Sequence, residues 1–228
     1  MTPRERLIVA LDVPSVADAE RLASQLKGHV GVFKIGYQLA FAGGLELARD
    51  LARDGEAVFL DLKLLDIDNT VAKGVESVLG LGARYLTIHG YPHAMRAAVA
   101  ARGDAALRLV AISVLTSLDT AELVAAGYDR SITDLIALRS AAAATAGFDA
   151  LVCAPGEAGL VKRHAPGLAA ITPGIRPAGS ERGEQKRAAT PAEAIHAGAD
   201  LLVVGRPIVA STDPSAAADA IVAEIAAA

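Results

Sequence analysis

Eight strand-length apolar runs recur along this chain of 228 residues, at 7–12, 30–36, 57–64, 85–90, 108–115, 150–155, 169–175 and 201–208. They are almost continuously apolar and rich in β-branched residues, as in Leu109-Val110-Ala111-Ile112-Ser113-Val114 and Leu201-Leu202-Val203-Val204. Open antiparallel strands alternate polar and apolar residues, whereas parallel strands covered by helices on both faces do not. Helix-length segments with start and stop signals separate the runs. Ser15 with Asp18 resembles a capping box ahead of residues 19–26, and Gly28 follows; residues 45–53 end at Gly55. Thr190-Pro191-Ala192-Glu193 combines a capping residue, proline at the first helical position and glutamate at the third, with Gly198 as the stop. Asp213-Pro214 opens a last helix in the same way. The interval between the fifth and sixth runs is the longest and predicts two helices, 119–126 and 131–146, one of them an insertion.

Eight strand–helix units in this length predict a single-domain (β/α)8 TIM barrel over residues 1–228, near the short end of the usual range. A doubly wound open sheet is the alternative. An apolar content of 53% supplies a full core without disulfide or metal support. Aromatics make up only 4%, which excludes a stacking platform for nucleic acid. With 22 Lys plus Arg against 26 Asp plus Glu, the formal charge of -4 argues against a basic groove and against a membrane surface held by field alone. Any anionic ligand must be held by a local cluster. The lone Cys153 cannot form an internal disulfide, and the apolar stretch ended by Asp12 is too short for a signal segment or a span. These features predict a cytoplasmic chain without nucleic-acid or membrane partners.

A barrel of this kind places chemistry at the C-terminal ends of its strands. Polar residues stand there: Asp12, Lys34, Asp61 with Lys63, His89, Thr116, Arg176 and Arg206. A single strand-end charge is ordinarily a solvated rim residue or a cap; so many on one rim indicate a site. The sharpest signal is Asp61-Leu62-Lys63-Leu64-Leu65-Asp66. Residues two apart on a strand share a face, so Asp61 and Lys63 point into the barrel mouth while Leu62 packs outward. Buried charges need partners. Lys34 on the neighbouring strand offers the second cation and Asp66 the second anion, giving a balanced Lys–Asp–Lys–Asp row. Carboxylate neighbours keep Lys63 protonated as a general acid, and Asp61 is fixed where it can repel a substrate anion. A network that only ties two strand ends is the plainer reading, but apolar packing would serve that purpose as well. Thr70 is open to two readings, as the N-cap of a helix over 71–81 or as a site residue.

A second cluster suits phosphate. The loops after the seventh and eighth strands, with an adjoining helix N-terminus, commonly bind phosphate in such barrels, and here they hold Arg176, Gln185, Gly205 and Arg206. The glycine allows close backbone approach and arginine offers a forked donor set. Residues 177–187 form a polar, glycine-containing stretch long enough for a lid.

These residues, in the blocks Val9-Ala10-Leu11-Asp12, Phe33-Lys34-Ile35-Gly36, Asp61 through Thr70, Val114-Leu115-Thr116-Ser117, Thr172-Pro173-Gly174-Ile175-Arg176-Pro177, Gln185-Lys186-Arg187 and Val204-Gly205-Arg206-Pro207-Ile208, resemble the bacterial orotidine 5′-phosphate decarboxylase family over essentially the whole chain. The resemblance implies decarboxylation of orotidine 5′-phosphate to UMP, the last step of de novo pyrimidine biosynthesis, with no metal, flavin or pyridoxal. It implies that Lys63 protonates the carbon left by the carboxylate within a charge network of Lys34, Asp61 and Asp66. Asp66 reaches the partner's site, hence a homodimer with shared sites. It further implies that Asp12 and Thr70 contact the ribose, Thr70 from its own chain or from the partner. Thr116 binds the pyrimidine edge, and Arg176, Gln185, Gly205 and Arg206 hold the 5′-phosphate beneath the lid. There are two departures from the family pattern: Leu64-Leu65 replaces the usual histidine or phenylalanine neighbours, and Asp68 stands where proline is common. Neither removes a chemical group of the site.

Two rivals remain. A sugar-phosphate relative on the same barrel shares the D-x-K-x-x-D motif but works through a Mg²⁺-stabilised enediolate. It requires an acidic ligand on the second strand, where this chain has Lys34, and an ammonium cannot replace a hard oxygen ligand. A barrel acting only as a scaffold is expected to have lost Lys63 or one of the carboxylates, and all are present.

Overall fold

The computed structural model describes residues 1–177 and 188–228. Eight parallel strands, β1 (Leu7–Ala10), β2 (Val32–Ile35), β3 (Val58–Leu64), β4 (Tyr85–His89), β5 (Arg108–Ile112), β6 (Ala150–Val152), β7 (Ala169–Thr172) and β8 (Leu201–Val204), close into a barrel in sequence order, with β8 pairing back onto β1. The alternative of an open sheet is therefore excluded. Helices alternate with the strands, and the β5–β6 interval carries the two expected ones, Thr120–Ala125 and Ile132–Ala146. Among the described residues no helix is long and apolar enough to cross a membrane.

The continuous apolar runs follow from what each strand face meets. On β1, Leu7 and Val9 face the helices, and Ile8 faces the barrel interior. Inside, each strand contributes one residue to one packed cluster: Ile8, Val32, Phe59, Tyr85, Val110, Ala150, Ile171 and Leu201. Phe59 and Tyr85 plug the centre, with ring centroids 5.7 Å apart and planes tilted by 58°. This cluster is the floor on which everything above it rests. Burying one such aromatic contributes about 1.5–3 kcal/mol, so the floor is rigid and dry.

The helix signals act where expected, with one exception. The hydroxyls of Ser15, Ser131 and Thr190 each accept the backbone N–H three residues on, and the Thr190–Glu193 pair forms a reciprocal capping box. Thr70 does not cap. Its helix runs Asp68–Leu79, with Ile67 at the N-cap position, so Thr70 lies inside the first turn. Asp68, Asn69 and Thr70 are all residue types that favour helix starts, and their spacing alone does not select among them. The eighth run also ends early: β8 stops at Val204, and Arg206–Val209 is a short helix opened by Gly205.

Candidate active site

Two residues above the packed floor, the same inward faces carry Ala10, Lys34, Asp61, Thr87, Ile112, Val152, Pro173 and Val203, by the period-2 geometry of a strand. The ring is polar on β2 to β4 and apolar on the remaining strands. One further step brings in Asp12, Lys63, Val114 and Gly205. Above the floor opens a cavity of about 440 Å³. Seven of the polar residues expected at the rim line it: Asp12, Lys34, Asp61, Lys63, Thr116, Arg176 and Arg206, with Gly205 beside them.

The charged half forms a continuous row. Lys34 Nζ donates to Asp12 Oδ1 at 3.0 Å and lies 3.6 Å from Asp61 Oδ2; Lys63 Nζ donates to Asp61 Oδ1 at 2.8 Å. The order is Asp12–Lys34–Asp61–Lys63, and the charges balance. Within this chain Asp12, and not Asp66, is the second carboxylate that pairs with Lys34. Ala10 pairs with Lys34 in the β1–β2 register, so Asp12, two residues on, reaches the ammonium from the adjacent strand. Asp66 comes after β3 has ended at Leu64; its carboxylate accepts the N–H of Ile67 at 2.6 Å, and the side chain is exposed. Residues 65–70 are all exposed on the single chain, Leu65 by 44% and Ile67 by 69%, and neither Asp66 nor Thr70 lines the cavity of its own barrel. Asp68 faces solvent here as well.

Burial governs the electrostatics of the row. The Lys34 side chain is only 8% exposed, against 50% for Asp12. Desolvation pushes the Asp61 carboxyl upward, but Lys34, Lys63 and the Thr87 hydroxyl together outweigh it and hold Asp61 below the usual carboxylate range. Asp61 therefore stays ionised beside two ammonium groups. His89 stands apart. Its ring lines a smaller neighbouring cavity of about 160 Å³ and lies edge-on to Tyr91 at 6.5 Å. Burial, then Arg139 and Lys63, lower its pKa.

Across the cavity, Ile112, Val114, Leu115, Val152 and Val203 form an aliphatic wall, with Thr116 adding a polar edge. Arg176 and Arg206 complete the lining beside Gly205, at the start of the short helix after β8. Burial and the neighbouring Arg206 both pull Arg176 below the usual guanidinium value, as expected for two cations brought together to await an anion. Gln185, and all of the expected lid except Pro177, lie outside the described residues.

Two further residues join the row, and no motif marks either in the sequence. Thr87 is fully buried; its Oγ1 accepts the Lys63 N–H at 2.7 Å and donates to Asp61 Oδ1 at 3.1 Å. Tyr37 places its ring 5.6 Å from Lys63 Nζ. The polar residue inside Tyr85-Leu86-Thr87-Ile88-His89 was the only available signal for the first. The arrangement offers a protonated amine beside a fixed carboxylate, an aliphatic slot, and a cationic pocket for an anion. Among the described residues no group of three or more His, Cys, Asp or Glu is placed to hold a metal ion.

Known proteins share this architecture and sequence. A protein of Afipia carboxidovorans named orotidine 5′-phosphate decarboxylase is 58% identical over 225 residues, covering 98% of this chain and 96% of its own. One of the same name from Methylorubrum populi is 54% identical over 224 residues, covering 98% and 96%. The crystal structure of orotidine 5′-phosphate decarboxylase from Lactobacillus acidophilus superposes with a TM-score of 0.84 at 29% identity, covering 96% of this chain and 98% of that one. Residues 5–221 match the family described as orotidine 5′-phosphate decarboxylase / HUMPS, and the chain belongs to it.

Proposed function

We propose that this chain is a carboxy-lyase that converts orotidine 5′-phosphate to UMP without a cofactor, in the cytoplasm, with Lys63 as the proton donor. The observation that carries this reading is the balanced Asp12–Lys34–Asp61–Lys63 row on one side of a cavity whose rim also holds Arg176 and Arg206. The relatives' name supplies the substrate; the row and the cavity supply the chemistry.

Loss of carbon dioxide from a vinylic ring carbon leaves an electron pair with no conjugated sink. The bond to the carboxylate breaks, the pair stays on the ring carbon, and the Lys63 ammonium delivers a proton there as the new C–H bond forms. Solvent reprotonates the amine after product release. A preorganised ammonium in a dry cavity stabilises the developing charge more than water would. Asp61 disfavours the substrate carboxylate it faces and spares the product, which lacks that group; this lowers the barrier by raising the ground state. Lys34 holds Asp61 ionised and in place. The aliphatic wall takes the pyrimidine ring and Thr116 its polar edge. Asp12 and Thr70 bind the ribose, and Arg176, Gln185, Gly205 and Arg206 bind the phosphate under a lid of residues 177–187. Phosphate binding, remote from the reacting carbon, supplies energy for closing the site. Mg²⁺-enediolate chemistry would need an anionic ligand where Lys34 already bridges two carboxylates.

The exposure of Asp66 beside Leu65 and Ile67 supports a homodimer in which Asp66 adds a carboxylate to the partner's row. Two experiments test the proposal. Wild-type protein in EDTA-treated buffer converts orotidylate to UMP with one carbon dioxide per turnover; a requirement for added Mg²⁺ would overturn the cofactor-free claim. Mixing inactive Lys63→Ala and Asp66→Ala chains restores a fraction of the activity; no recovery despite proven subunit exchange contradicts shared sites.

A further inference from the structure

We propose that Tyr37 and Thr87 are positioning residues that clamp the Leu62–Lys63 peptide from its two ends and so set the Lys63 ammonium against Asp61. The inference rests on the decarboxylase reading above and adds two residues to it.

The need for a clamp arises in the strand itself. Leu60 pairs with Leu86 and Leu64 pairs with Ile88, so three residues of β3, Asp61 to Lys63, stand opposite Thr87 alone. A bulge of this kind takes peptide groups out of the regular ladder and re-aims the side chains it carries. Lys63 bears the consequence: its φ is 43°, and it is the only non-glycine residue with positive φ among those described. L side chains rarely adopt that conformation, and it persists only where the surroundings over-determine it.

The surroundings here are two side chains on different strand–loop units. Tyr37, just after β2, donates its phenolic O–H to the Leu62 carbonyl at 2.9 Å. Thr87, at the middle of β4, accepts the Lys63 N–H at 2.7 Å. The carbonyl and the N–H belong to one peptide unit, so both of its polar groups are satisfied by side chains where a regular strand would use its neighbour's backbone. The Thr87 hydroxyl has one proton, and it goes to Asp61 Oδ1 at 3.1 Å, the oxygen that also accepts from Lys63 Nζ at 2.8 Å. A closed circuit results: Lys63 N–H to Thr87, Thr87 to Asp61, and Lys63 ammonium back to Asp61. The ring of Tyr37 lies 5.6 Å from the same ammonium, within cation–π reach. Backbone and side chain of the proton donor are thus fixed by the same two residues. Neither placement is required by core packing, since Tyr37 is 47% exposed and valine would fill the space of Thr87.

Two near-isosteric variants test this. Thr87→Val removes the hydroxyl and keeps the shape; Tyr37→Phe keeps the ring face and removes the donor. Misplacement of a reacting group by about 1 Å costs about 10²-fold. We therefore expect kcat to fall about 100-fold in Thr87→Val and about tenfold in Tyr37→Phe, with KM changed by less than about threefold. Thr87→Ser restores kcat to within a few-fold of wild type. The double variant loses less than the product of the single losses, because both act on one peptide. In crystals of Thr87→Val, φ at Lys63 leaves the positive region or Nζ moves away from Asp61. Wild-type kcat in both variants, a Thr87→Ser enzyme as slow as Thr87→Val, or unchanged Lys63 geometry in both variants would overturn the proposal. Should Thr87→Val not fold, Tyr37→Phe and Thr87→Ser decide it. If the wild type fails to decarboxylate orotidylate, the functional reading fails on its own, and the Lys63 backbone in the variant crystals still decides the clamp.

Discussion

Replacing Lys34 by methionine keeps the length of the side chain and deletes its charge, which makes the buried row's energetics measurable. Lys34 Nζ lies 3.6 Å from Asp61 Oδ2 and 3.0 Å from Asp12 Oδ1. At an effective dielectric of about 20, a unit pair at 3.6 Å interacts by about 4–5 kcal/mol. Asp61 keeps Lys63 and Thr87 as partners, and half-exposed Asp12 is rehydrated, so we expect a net loss of about 3 kcal/mol at pH 7, at the low end for breaking a buried pair. The sign of its pH dependence follows from Asp61. In the wild type its folded pKa is depressed, so its contribution is fully present above the unfolded carboxylate value, near pH 4, and is lost as pH falls through the lower folded value. Without Lys34, the first of the groups that lower it, we expect burial to outweigh Lys63 and Thr87 and to carry the folded pKa above the unfolded value. The variant then binds a proton on folding, and its stability recovers as pH falls from 7 toward 4 while the wild type's does not. Urea unfolding at fixed protein concentration across that range reads the difference directly, because coupling to any dimer is then constant. A destabilisation that stays the same from pH 7 to 4, or one below about 0.5 kcal/mol at pH 7, would mean that Lys34 does not stabilise the ionised Asp61.

Arg206→Ala should lower kcat/KM for orotidylate by about 30- to 100-fold, the worth of a lost charge-assisted bond to phosphate, with a much smaller effect on a substrate lacking the phosphate. Equal losses on both substrates, read by steady-state kinetics, would remove Arg206 from the phosphate pocket. Far from the site, Gly31→Ala places a Cβ 2.5 Å from Glu5 Cα and 2.7 Å from the Arg4 carbonyl oxygen. Because those atoms are backbone, relief requires the N-terminal turn to shift, and we expect about 1–3 kcal/mol of destabilisation by urea titration with kcat unchanged; a neutral change would contradict the close approach.

The barrel was legible because parallel strands buried on both faces leave continuous apolar runs, and all eight runs became strands in the expected order. That the Asp61–Lys63 pair and the two arginines line one cavity was legible because strand ends in this architecture share one mouth. What failed did so for local reasons. An apolar run does not mark where a strand gives way to a helix, so the eighth run was carried past Val204 into Arg206–Val209. The pairing of Asp12 with Lys34 was not legible, because the interstrand register that brings them together is invisible in sequence. Three successive helix-start residues hid the true start of the helix at Asp68. Thr87 and Tyr37 escaped notice because a threonine in a strand is an ordinary β-former, and only the bulge gives it a task.

In the proposed reaction the Lys63 ammonium, 2.8 Å from Asp61 Oδ1, protonates the carbon that loses carbon dioxide. Lys63→Ala, assayed beside the wild type in EDTA-treated buffer with UMP affinity measured in parallel, tests it most directly. We expect kcat to fall by about 10⁴-fold or more, combining the lost proton donor with the lost electrostatic stabilisation, while UMP binding changes by less than about tenfold. A Lys63→Ala enzyme that turns over orotidylate within about tenfold of the wild type would contradict it.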